Sequence, residues 1–199
     1  HEGVQSLSES TFYGCGIRSV SIPSTVTVIP KWTFTNCKYL EHVNWHDGIT
    51  SIGEAAFNCC TSLRNIKIPA GVTSIEGETF YGCTSLQSVG FHDNITRIGA
   101  YAFEKCYALA LEETNEDKPY NLPAGLTTLE DAAFLNCTGI TRVCLPEGVT
   151  AVPRHAFNGC TKLNGVVLSK QTVTIGDWAF AGSALTGIAL PATVTSLGD

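Results

Sequence analysis

The chain has 199 residues, of which 44% are apolar and 15% charged, and its formal net charge is −6. This composition suits a folded, soluble protein with few surface charges. It argues against a nucleic-acid partner, which needs clustered Lys and Arg, and no apolar run approaches the ~20 residues of a membrane helix. The chain contains no Met and begins with His1. It therefore reads as an internal or processed stretch, attached to a membrane only through an anchor lying elsewhere.

Phenylalanine marks a repeat. In chain order Phe12, Phe34, Phe57, Phe80, Phe103, Phe134, Phe157 and Phe180 are separated by 22, 23, 23, 23, 31, 23 and 23 residues. Three residues after each stands a cysteine (Cys15, Cys37, Cys60, Cys83, Cys106, Cys137, Cys160), with Ser183 in the last unit. An apolar trio follows, as in Leu63-x-x-Ile66-x-Ile68, and is closed by proline at Pro23, Pro69, Pro123, Pro146 and Pro191. A second apolar pair, such as Val72-x-x-Ile75, completes the unit. A fixed period of roughly 20–50 residues implies a solenoid, because one unit cannot bury its own apolar face and must stack on the next.

Within each unit the alternation Leu-x-x-Ile-x-Ile predicts a short strand with one buried face. Proline ends it, having no N–H to donate to a ladder. The "VT-x-I" segment predicts a second short extended piece. The segments "GEAAF", "GAYAF", "EDAAF" and "GDWAF" predict a single helical turn. The residue before each Phe is Ala or Thr, which predicts close approach of neighbouring coils there.

The pattern "I-P-x-x-V-T-x-I-G-x-x-A-F-x-x-C-x-x-L" resembles the BspA-type leucine-rich repeat from Val4 to Leu197. The resemblance implies a repeat solenoid, right-handed and curved, of about eight 23-residue units. Its short strands would form a parallel concave β-sheet, with short helical turns between. It further implies a secreted or cell-surface protein, often proposed to bind host proteins, and it carries no catalytic residue. Residues 1–199 are expected to form one leucine-rich-repeat domain cut from a longer array, because the pattern starts and stops mid-unit without polar caps.

The column cysteines read as small buried thiols. In-register side chains point the same way, which suits disulfide geometry poorly, and one Cys per unit lacks the paired spacing of zinc sites. No metal or cofactor is expected. Cys59 and Cys144 leave the column and are expected at the surface, Cys144 by strand alternation. His46-Asp47 and His92-Asp93 replace Pro in two units. They suggest acid–base or metal chemistry, but ordinary turn chemistry accounts for them. The acceptor patterns at Asn94 and Asn136 and the Thr column are likewise read as structural.

A binding role falls to two places. Outward positions of the concave strands place His42, Asn44, Asn65, Lys67 and Arg142 on one face, otherwise small and nearly uncharged. The second place is the 31-residue unit, whose eight extra residues include Glu112, Glu113, Glu116, Asp117 and Lys118. Insertions in repeat arrays map to one face and are often recognition loops. The expected function is non-enzymatic: adhesion or protein binding at the cell surface or outside the cell, with a host, matrix or surface protein as partner. The alternative is a passive spacer that holds other domains away from the surface.

Overall fold

The computed structural model describes residues 3–111 and 121–199. Six three-residue strands follow the Phe/Cys segments: β1 (Ser19–Ser21), β3 (His42–Asn44), β5 (Asn65–Lys67), β7 (Ser88–Gly90), β10 (Arg142–Cys144) and β12 (Gly165–Val167). Eight two-residue strands form a second row: β2 (Val28–Ile29), β4 (Ser51–Ile52), β6 (Ser74–Ile75), β8 (Arg97–Ile98), β9 (Thr128–Leu129), β11 (Ala151–Val152), β13 (Thr174–Ile175) and β14 (Ser196–Leu197). Every pairing is parallel and joins one coil to the next, for example Ser19 with His42 and Arg142 with Gly165. The architecture is the expected leucine-rich-repeat solenoid.

The core is a set of columns. Phe34, Phe57, Phe80, Phe103, Phe134 and Phe157 are fully buried. Consecutive Phe rings from Phe12 to Phe180 stack with centroids 5.2 to 5.7 Å apart. Such aromatic pairs contribute ~0.5–1.5 kcal/mol each beyond area burial. The small residue before each Phe is buried where expected, as at Thr33, Ala56, Thr79, Ala102, Ala133 and Ala156. Thr33 and Thr79 turn their hydroxyls back to the carbonyls of Pro30 and Glu76, at 2.7 and 2.8 Å.

The helical turn predicted around each Phe does not form; among the described residues there are no helices. Two positions per coil take left-handed backbone. Two residues before each Phe stand Ser10, Trp32, Ala55, Glu78, Tyr101, Ala132, His155 and Trp178, and two residues after stand residues such as Asn36, Gly82 and Asn136. Left-handed residues break the i to i−4 pattern that a helix requires. They send alternate N–H groups sideways: Trp32, Phe34 and Asn36 donate to the carbonyls of Glu54, Ala56 and Asn58 in the next coil, at 3.0, 2.8 and 2.7 Å. The intervening N–H groups close turns within the coil, as Cys37 does on the Phe34 carbonyl at 3.0 Å. The strain of left-handed non-glycine residues is offset by this ladder between coils.

The three-residue strands pair as β1–β3, β5–β7 and β10–β12. Between β3 and β5 a side chain intervenes. The Lys67 carbonyl, whose equivalents Asn44 and Gly90 accept the backbone N–H groups of Ile22 and Ile68, accepts the Trp45 indole N–H at 2.9 Å. The same indole packs edge-on to Phe57, at 5.8 Å and 83°. In the second row β9 does not pair with β11. Glu130 and Gly176 donate to the preceding coil there, but the equivalent residue is Pro153, which has no N–H.

Candidate binding face

The column thiols hold one coil to the last. Cys37, Cys60, Cys83, Cys106, Cys137 and Cys160 each donate an S–H to the carbonyl of the Phe one coil back (Phe12, Phe34, Phe57, Phe80, Phe103 and Phe134), at 2.9, 3.2, 3.1, 3.1, 3.0 and 3.3 Å. Burial pushes the thiols of Cys60, Cys83, Cys106 and Cys137 well above the ordinary cysteine range, and that of Cys160 up to about 12. All nine cysteines are free thiols. A thiol locked as a buried donor is a poor nucleophile, so the column is architecture.

The His-Asp pairs are also architecture. His46 donates from Nε2 to the carbonyls of Pro23 and Val26, both at 3.0 Å, and its Nδ1 accepts the Gly48 N–H at 3.1 Å. His92 repeats the first contact on Pro69 at 2.9 Å, but its Nδ1 is buried without a partner. Asp93 accepts the Ala124 N–H at 2.9 Å. Each imidazole therefore fastens its turn to the coil before it. Among the described residues no group of three or more His, Cys, Asp or Glu is placed to share a metal ion.

The outward strand positions lie where the alternation put them, with two exceptions. His42, Asn44, Asn65, Lys67 and Arg142 are all exposed. Neighbouring coils are laced across the face: Ser88 donates to Asn65 Oδ1 at 2.7 Å, and Asn44 lies 3.5 Å from Ser21 Oγ. Cys144 is the first exception, being 3% exposed rather than at the surface. Arg142 Nε lies 3.5 Å from its sulfur, and Asn121 lies along its backbone. Cys59, the other cysteine expected at the surface, is half-buried. Glu112, Glu113, Glu116, Asp117 and Lys118 lie outside the described residues.

Asn121 is the second exception. It occupies the strand position equivalent to Lys67, where alternation predicts an outward side chain, yet it is 6% exposed. Its Nδ2 donates to the Arg142 carbonyl at 2.8 Å, and its Oδ1 accepts the Cys144 N–H at 2.9 Å. The side-chain amide thus presents to β10 the donor and acceptor that a neighbouring strand would. Proximity to the insertion is the signal that marks it. Arg97 pairs with Glu76 at 2.7 Å and with Glu130 of the following coil at 2.8 Å.

These columns and parallel ladders define a leucine-rich-repeat solenoid with one polar strand face. Residues 1–110 and 110–199 match the BspA type leucine-rich repeat region, in six copies. The chain belongs to this family. It is similar in structure to a leucine-rich repeat protein from Bacteroides ovatus, at 28% identity over 98% of this chain and 49% of that one, with a TM-score of 0.87. It also resembles the leucine-rich repeat protein of T. pallidum, at 26% identity, 91% and 73% coverage, and a TM-score of 0.69. A leucine-rich cell surface protein from Faecalibacterium prausnitzii matches at 30% identity, 92% and 44% coverage, and a TM-score of 0.58. The chain spans about half the length of the Bacteroides protein, 49%. No curated protein matches it.

Proposed function

We propose that the protein is a non-enzymatic binding module of the cell surface that engages another protein through its three-residue-strand face. The observation that carries this reading is the set of exposed polar side chains, His42, Asn44, Asn65, Lys67 and Arg142, on strands whose other face is core. A rigid solenoid holds such a set at fixed spacing and so supplies recognition without ordering cost. The cell-surface relative from Faecalibacterium prausnitzii supports the location.

The test is a binding screen of the folded protein against extracellular-matrix and cell-surface proteins, beside a double variant with Asn65→Ala and Lys67→Ala. Saturable binding that the double variant weakens supports the reading. A folded protein that binds nothing in the screen favours the spacer instead.

A further inference from the structure

The exposed aromatic side chains gather on one side of the molecule. Among the described residues the exposed Trp and Tyr are Tyr13, Trp32, Tyr39, Tyr101, Tyr107 and Trp178. Each lies within five residues of a column Phe, on the turn side of the coils, and none lies on either row of strands. Three of them share one column. The backbone N–H groups of Trp32, Ala55, Glu78, Tyr101, Ala132 and His155 each bond to the coil that follows, so these residues and Trp178 stand in register. The order aromatic, alanine, ionisable runs twice along the column and ends on Trp178. This side is unbroken across the 31-residue unit: the Tyr101 N–H bonds the Asp131 carbonyl at 3.1 Å, and Phe103 stacks on Phe134 at 5.2 Å.

We propose that this column is a carbohydrate-binding surface, separate from the strand face, on which Trp32, Tyr101 and Trp178 are platforms for an extended, neutral β-linked glucan. The column is left-handed in every unit, a strain on any side chain that glycine would relieve. Two residues after the Phe, glycine takes the left-handed position in four units, at Gly14, Gly82, Gly159 and Gly182; two residues before it, glycine never does. Side chains are thus kept in the column despite the strain. The electron-rich face of an aromatic ring attracts the C–H face of a sugar ring. Rings set apart by alanine and polar groups lack the contiguous apolar core of a protein interface. Beside them Lys31 pairs with Glu54 at 2.8 Å and Arg154 with Asp131 at 3.9 Å, and charges of both signs already paired suit a neutral ligand. Glu78 with Asn58 at 3.1 Å, and His155 with Asn158 at 2.9 Å, supply the donors and acceptors that hydroxyls need.

The coil step selects the sugar. In the Phe column beside the platforms, successive ring centroids are 5.2 to 5.7 Å apart from Phe34 to Phe180. The hexoses of an extended, cellulose-type chain follow one another at nearly this step, so one sugar matches one coil. Three coils separate Trp32 from Tyr101, and three separate Tyr101 from Trp178. Each hexose of such a chain is turned over relative to the last. Platforms an odd number of sugars apart therefore meet opposite faces of the ring. The glucose configuration, with every substituent equatorial, offers C–H groups on both faces, whereas the axial hydroxyl of mannose spoils one of them.

The experiment is isothermal titration calorimetry of the folded protein with cellohexaose and with mannohexaose of the same linkage. Saturable binding of cellohexaose is expected, weakened about tenfold by Trp32→Ala or Tyr101→Ala. It should be unchanged by Tyr39→Ala, an exposed ring off the column, and by the strand-face double variant. Alanine already stands in this column at Ala55 and Ala132 with left-handed backbone, so both platform variants keep the fold, which circular dichroism checks. Absent binding, equal binding of mannohexaose, or indifference to both platform variants would overturn the proposal. So would matrix-protein binding that Trp32→Ala abolishes in a protein indifferent to cellohexaose, which would assign the rings to a protein partner. Matrix-protein binding that only the strand-face variant weakens, with no cellohexaose bound, overturns this inference and leaves the proposed function standing.

Discussion

Asn121 Oδ1 accepts the backbone N–H of Cys144 at 2.9 Å, while its Nδ2 donates to the Arg142 carbonyl at 2.8 Å. One side chain completes a strand edge beside the insertion and seals a cysteine beneath it. Asn121→Ala removes both bonds and strands a buried N–H, at a cost of about 2 kcal/mol. The urea midpoint should fall accordingly, and Cys144 should become open to alkylation in the native state. A variant as stable as the parent would show that the amide is incidental.

The thiol column makes two predictions. Maleimide labelling of the native protein should modify Cys59 and Cys15, which are half-buried, and spare the buried Cys37, Cys60, Cys83, Cys106, Cys137, Cys144 and Cys160. Stability should also fall in alkali. Unfolded thiols ionise near pH ~8.5, whereas burial keeps the folded thiols of Cys60, Cys83, Cys106, Cys137 and Cys160 protonated to higher pH. Above pH ~8.5 the unfolded state therefore binds fewer protons, and each thiol contributes a slope of up to ~1.4 kcal/mol per pH unit. Below that pH the stabilisation is fully present. Urea midpoints should be level from pH 7 to 8 and drop between pH 9 and 10. Cys106→Ala and Cys137→Ala together should flatten the drop.

Phe103 stacks on Phe80 at 5.4 Å and Phe134 at 5.2 Å and receives the edge of Phe91 at 5.9 Å. Phe103→Ala should cost about 3–5 kcal/mol, because the rigid coils on either side cannot close the cavity. Phe12→Ala should cost less, since Phe12 is only partly buried and stacks on Phe34 alone. Equal losses in urea titrations would contradict a core built of nearest-neighbour contacts.

Thr172 stands in the column of Val26, Ile49, Val72, Ile95, Leu126 and Val149; it is fully buried and its hydroxyl has no partner. Thr172→Val should stabilise the protein by about 1 kcal/mol. His92→Pro restores the residue found in other units and removes the orphaned Nδ1. It should stabilise by about 0.5–1 kcal/mol, chiefly by restricting the unfolded chain. The Pro69 carbonyl remains bonded to Val72 N–H at 2.9 Å. Differential scanning calorimetry of the two variants, and of their combination, decides both.

The solenoid was legible from the Phe and Cys spacing alone, because a stacked coil repeats its requirements at every turn. A ring, a thiol and a small residue recur wherever neighbouring coils touch. The outward row was legible for the same reason: a strand alternates whatever covers it, and His42, Asn44, Asn65, Lys67 and Arg142 are exposed as that rule demands. Tertiary structure decided the rest. Segments such as "GDWAF" carry helix-compatible residues, yet Trp178 is left-handed, because the bonds that select its backbone go to other coils. Cys144 follows its alternation and is still buried, because the amide and guanidinium that cover it belong to neighbours the period does not describe. Local pattern set the columns and faces; contacts between coils set the backbone hand at the turns and which outward side chains remain free to bind.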